Sequence, residues 1–151
     1  MRAVLLLTST LLTLPTTAFS SYSPETIKEA VTNSQSLFSV KEWKSDKPQQ
    51  WEAETGNRLL SIKVGPKLSL VKSPYISPRQ KMVAKKRCVE FGKIGANAQS
   101  KSAKKEVETL VKRATQKHIT LFKSINNVRF EVHPEMKGVY VSLICRLKPS
   151  N

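Results

Sequence analysis

Aspartate is nearly absent from this chain of 151 residues: Asp46 is the only one. Sites built on paired aspartates, a Ser-His-Asp triad or an Asp-rich calcium loop therefore have almost no raw material. Glycine occurs five times, proline eight times and cysteine twice, which excludes collagen-like, linker-like and disulfide-dense scaffolds. Aromatic residues make up 7%, and they do not interleave with lysines as a base-stacking platform requires. No phosphate loop, nucleophile elbow or metal-binding helix motif occurs. What remains is 39% hydrophobic and 25% charged, a foldable composition of a size for one domain.

The first twenty residues read as an address. Met1 and Arg2 give a short positive start, Ala3 to Leu14 is apolar but diluted by Thr8, Ser9, Thr10 and Thr13, and Ala18-Phe19-Ser20 offers a small-residue cleavage site. This is the pattern of a secretory signal peptide over 1–20, cut near Ser20 or after Ala18. Its apolar stretch is too short to span a bilayer, which takes roughly twenty residues, and no later run approaches that length. The expected destination is the periplasm or the extracellular space. There the two cysteines, Cys88 and Cys145, most simply pair.

Beyond the leader, residues 21–57 read as an N-terminal helix and a polar connector, and 58–151 as one α+β domain. Ser23-Pro24-Glu25 places a capping hydroxyl, a first-turn proline and an acid in helix-start order. Trp43 and Trp51 flank a polar stretch that reads as a loop or connector, with a strand around Trp51 as an option, and core packing is the commoner role for Trp than a ligand platform. Leu60, Ile62 and Val64 alternate as a strand, and Leu68 to Val71 is a candidate hairpin partner. Ser77-Pro78 starts a second helix whose apolar arc, Val83, Ala84, Cys88, Phe91, Ile94 and Ala98, is interrupted by Arg87. Gly92 and Gly95 are expected to weaken it, and a second stripe runs Ala103, Val107, Leu110, Val111, Ala114, His118, Leu121. One kinked helix and two helices both fit. Val128 to Val132 alternates, His133 to Gly138 reads as a turn, and Val139 to Leu147 alternates again, closing an antiparallel hairpin. The expected fold is a small antiparallel sheet with a long basic helix, or two, on one face. Cys88 and Cys145 then both face the core, which makes a helix-to-sheet disulfide geometrically sensible.

Lys and Arg number 26 against 11 Asp and Glu, a formal net charge of +15. Residues 78–123 hold thirteen of the bases against Glu90, Glu106 and Glu108, so this region carries most of the excess. Lys81, Lys85, Lys86, Lys93, Lys101, Lys104, Lys105, Lys112, Arg113 and Lys117 are the candidate contacts for an acidic protein partner or an envelope polyanion. A merely solvated face is the bland alternative. Export makes nucleic acid a ligand in vitro only.

The chemistry-bearing residues are few. His118 and His133 could serve a secreted ribonuclease by general acid-base catalysis, but no flanking motif supports it, and His118 reads as structural on its apolar stripe. Cys88, His118, His133 and Cys145 are zinc-ligand types without the close paired spacing of structural sites. No catalytic residue, metal or cofactor is assigned.

The order of a strand, an Ala/Lys-rich helical region opening with Ser77-Pro78-Arg79-Gln80, and a final hairpin ending Gly138-Val139-Tyr140-Val141-Ser142-Leu143 resembles the exported domains of bacterial flagellar accessory and outer-membrane lipoproteins. The likeness covers roughly residues 59–147 and rests on pattern. The chain lacks a lipidation cysteine, and the basic charge is not implied by those domains. The resemblance implies a non-catalytic envelope assembly or scaffold part and carries over no functional residue; the alternative function is a subunit of an envelope-spanning secretion, conjugation or motility complex, held by protein contacts with the basic face merely solvated.

Overall fold

A computed structural model describes residues 22–150; the leader expected over 1–20 and its cleavage near Ser20 lie outside the described residues. Helices α1 (Pro24–Asn33) and α2 (Gln35–Phe38) lead into strands β1 (Val40–Lys47), β2 (Gln50–Thr55), β3 (Ser61–Val64) and β4 (Ser69–Tyr75). Helices α3 (Pro78–Gly95) and α4 (Lys101–Lys117) follow, then β5 (Leu121–Ile125), β6 (Val128–Lys137) and β7 (Tyr140–Pro149). The fold is α+β, as expected, but the sheet is larger. Seven antiparallel strands run in the order β1-β2-β3-β4-β7-β6-β5, so two meanders meet where β4 pairs with β7.

The helices cover one face. α3 lies on β4 and β7, α4 on β6 and β5, and α1 on α3 and β3. Burial follows the strand period of two: Val128, Phe130 and Val132 on β6 are buried while Arg129, Glu131 and His133 are not. The core formed between the layers includes Phe38, Ile62, Phe91, Val107, Val111, Phe130, Leu143 and Leu147. Serine hydroxyls start all three long helices: Ser23, Ser77 and Ser100 each accept from the backbone N–H three residues on. Each such cap is worth about 1 kcal/mol.

Two devices fix α3 to the sheet. Cys88 and Cys145 form a disulfide across 5.6 Å between Cα atoms, joining α3 to β7 as their faces suggested. The second device was expected to be a weakness. Helix α3 continues through Gly92 and Gly95, and both are buried. A Cβ on Gly92 would stand 2.7 Å from Phe130 Cζ and 2.8 Å from Val107 Cγ1, and one on Gly95 would collide with Leu147. The absent side chains let α3 sit close to β6, β7 and α4. The helix ends only at Ala96, so the region holds two helices separated by residues 96–100.

Several expectations are corrected. The stretch 41–57 is not only a connector: it supplies β1 and β2, which join the same sheet as the rest. Trp43 and Trp51, by contrast, pack half-buried against the core as expected, Trp43 donating from Nε1 to Thr32 Oγ1 at 2.8 Å and the Trp51 ring lying 4.7 Å from Lys28 Nζ. His118 is not a core residue. It is exposed, caps α4 in the left-handed region at φ 53°, and is followed by an unanticipated strand, β5, that takes Leu121. Residues 133–137 are strand rather than turn, since β6 runs to Lys137 and the reversal is confined to Gly138 (φ 59°) and Val139. A φ in that region suits glycine. Arg87 interrupts the apolar arc because it is a tie: Nε donates to the Leu37 carbonyl at 2.6 Å and Nη1 to Ser73 Oγ at 3.1 Å, joining α3 to α2 and β4.

Gly95→Ala should destabilise the protein in urea by about 1–3 kcal/mol, because overpacking outweighs the roughly 1 kcal/mol that alanine gains in helix propensity. An increase in stability would show that the close approach is not required. Removing the disulfide by Cys88→Ala with Cys145→Ala should cost about 2–5 kcal/mol in the same titration.

Candidate functional site: a basic helical face

α3 and α4 form a hairpin with their outer surfaces in water. Helical spacing decides which lysines share that surface. On α4, Lys101, Lys105 and Lys112 recur at intervals of four and seven and so stack along one side, while Ala103, Val107, Val111 and Ala114 occupy the buried side. Lys86, Lys101, Lys104, Lys105, Lys112, Arg113 and Lys117 are exposed, and Lys81, Lys85 and Lys93 are partly so. Of these ten, Lys93 alone is ion-paired among the described residues, to Glu108 Oε1 at 2.6 Å, linking the two helices. The hairpin thus brings the expected cluster onto one layer.

The contact of Gly92 with Val107 sets the register. Residues an equal number of steps before the one and after the other stand level in an antiparallel hairpin. The Lys93–Glu108 pair lies one residue beyond that contact on each helix, so the two observations agree. Between α4 and β5 a depression of about 260 Å³ is lined by Lys105, Arg113 and Lys123, with Glu106, Ser102, Thr109 and Leu110 completing it. Glu106 Oε1 pairs with Lys123 Nζ at 3.0 Å, which leaves Lys105 and Arg113 without a carboxylate.

The opposite face of the sheet explains why the helices are not neutralised. There four carboxylates, Glu52, Glu54, Glu131 and Glu135, pair with cations of the sheet itself. Glu131 on β6 accepts from Arg146 Nη1 at 2.6 Å and lies 3.6 Å from Arg129 Nη2, and Glu135 holds Lys72 at 2.8 Å and Lys137 at 3.7 Å. Lys44–Glu54 and Lys63–Glu52 pair on the outer strands. Burial acts to raise the Glu131 pKa, but the Arg146 hydrogen bond and the fields of Arg146, Lys148 and Arg129 outweigh it and hold the carboxyl below its ordinary value. The Lys72 hydrogen bond is the main cause of a lowered Glu135. Arg129 also stacks 3.7 Å over the Phe122 ring.

The two histidines stand on different elements, His118 at the end of α4 and His133 on β6. His133 lies on this open face with Nδ1 2.6 Å from Thr120 Oγ1, His118 caps α4, and no hydrogen bond joins the two rings. Cys88 and Cys145 are spent on the disulfide and cannot serve with them as zinc ligands.

The sequence reading missed one feature. At the end of the molecule where β4 passes into α3, a hollow of about 270 Å³ is lined by Leu59, Tyr75, Ile76, Val83 and Tyr140 together with Arg79 and Arg87. The Tyr75 hydroxyl is buried without a hydrogen-bond partner, and burial raises its pKa. The available signal was apolar residues at loop positions, Leu59, Ile76 and Val139.

A depressed carboxylate pKa stabilises the fold above the unfolded-state value, and that stability is lost as pH falls through the folded one. Stability should therefore drop below about pH 4.5, and Glu131→Gln should flatten the drop in a pH series of urea midpoints. An unchanged acid limb would show that the Arg146 pair contributes nothing. Comparison with protein-family models, curated proteins and solved structures finds no match to this chain.

Proposed function

We propose that the protein is an exported, non-enzymatic binding or assembly protein of the cell envelope, and that its α3–α4 face engages a polyanion or an acidic partner. The carrying observation is the segregation of charge. Four sheet carboxylates, Glu52, Glu54, Glu131 and Glu135, are tied to neighbouring cations, whereas nine of the ten candidate helix bases have no ion pair among the described residues. Exposed ion pairs are worth at most about 1 kcal/mol each, so the separation is better understood as shaping an external field than as stabilising the fold. Such a field attracts and orients anions before contact. The depression between α4 and β5 gives it a place where Lys105 and Arg113 can close on one anionic group. The Cys88–Cys145 disulfide supports an oxidising destination, and among the described residues no helix is long and apolar enough to cross a membrane.

Binding to immobilised heparin should weaken linearly as log salt rises. Lys105→Glu with Arg113→Glu should lower affinity at least tenfold and flatten the salt slope by roughly one unit per contact removed. Charge reversal at Lys81, Lys85 and Lys104 should act in the same direction. Binding that is weak at low salt and indifferent to these changes would leave only a solvated face.

A further inference from the structure

We infer that the end of the molecule where β4 enters α3 docks on an anionic lipid surface. Large apolar side chains protrude there from three separate places in the chain. Leu59 precedes β3, Ile76 lies between β4 and α3, Val139 sits in the β6–β7 reversal and Tyr140 opens β7. Their exposures are 66%, 65%, 82% and 51%. They share two adjoining hollows, both lined by Tyr75 and Ile76: one reaches Leu59 and Tyr140, the other Val139 and Lys81. Convergence from separate segments makes a contiguous patch, which is not the scattered exposure common on soluble proteins.

Charge complementarity selects the occupant. The two hollows are lined by Arg79, Arg87 and Lys81 and by no carboxylate. Arg79 is exposed, and Lys137 stands beside the turn. Apolar groups ringed by cations match the boundary of a bilayer, where acyl chains lie under phosphates. The geometry of the turn favours lipid over an acidic protein segment. Val139 is 82% exposed at the tip of the reversal, so it projects from the surface at the edge of its hollow. Leu59, Ile76, Val139 and Tyr140 enter the headgroup layer while Arg79 and Lys81 meet the phosphates. The charge part of this docking rests on the polyanion reading above; the apolar part is independent of it.

The test is co-sedimentation with vesicles of phosphatidylcholine containing phosphatidylglycerol, against vesicles of phosphatidylcholine alone. The wild-type protein should pellet with the first and not the second. Ile76→Ser with Val139→Ser, both solvent-facing, should reduce partitioning roughly tenfold or more while heparin affinity and urea stability stay unchanged. Unaltered partitioning by this double variant overturns the docking end, and equal binding to both vesicle types overturns the lipid charge requirement. Loss of partitioning to an added acidic peptide that competes only with the wild-type apolar end assigns that end to a protein partner instead and also overturns it. If heparin binding is absent while vesicle binding still needs Ile76 and Val139, the polyanion reading fails and the docking end stands.

Discussion

The close seating of α3 on the sheet is the constraint on which the other features depend. Two buried glycines bring the helix against Phe130, Leu147 and Val107, and the disulfide at Cys88 holds it over β7. Closing a loop between partners 57 residues apart contributes about 4 kcal/mol in the chain-entropy model, a large fraction of a small domain's stability. The same seating joins the two halves of the sheet, because α3 crosses the β4–β7 seam where the meanders meet. Arg87 extends the fixation to the N-terminal helices through the Leu37 carbonyl.

Charge follows from this layering. With one face of each helix consumed by the core, the Lys-rich positions of α3 and α4 have no direction left but outward. The carboxylates that could have met them are placed on the far side of the sheet, where Glu131 and Glu135 neutralise Arg146 and Lys72. A sheet about 10 Å from the layer packed on it separates the two populations by roughly a Debye length at physiological salt. The helical layer therefore keeps its field, and both the proposed polyanion contact and the cationic ring at the apolar end draw on it.

Periodicity made much of this legible. The caps at Ser23 and Ser77, the α4 stripe, the alternation of β7 and the disulfide all follow from residue spacing, because each is a local rule with one outcome. The errors came where a long-range contact decided. Gly92 and Gly95 look like breakers in isolation and become packing devices only when Phe130 and Leu147 are in place. β1 carries too few apolar residues to read as a strand and β2 offers only Trp51 as a hint; both join the sheet because β3 presents an edge to pair with. His118 fits a helical stripe by number, yet the chain leaves the helix there to begin β5. The apolar end was invisible for the same reason, since its residues are far apart in sequence.

The central claim is that anions are met by the helical layer and not by the sheet. Lysine acetylation read by mass spectrometry, with and without heparin at low salt, tests it most directly. The account predicts protection at Lys101, Lys105, Lys112 and Lys117 and unchanged labelling at Lys44 and Lys63, which are exposed on the open sheet face. Protection spread evenly over both sets, or greater at Lys44 and Lys63, would contradict it.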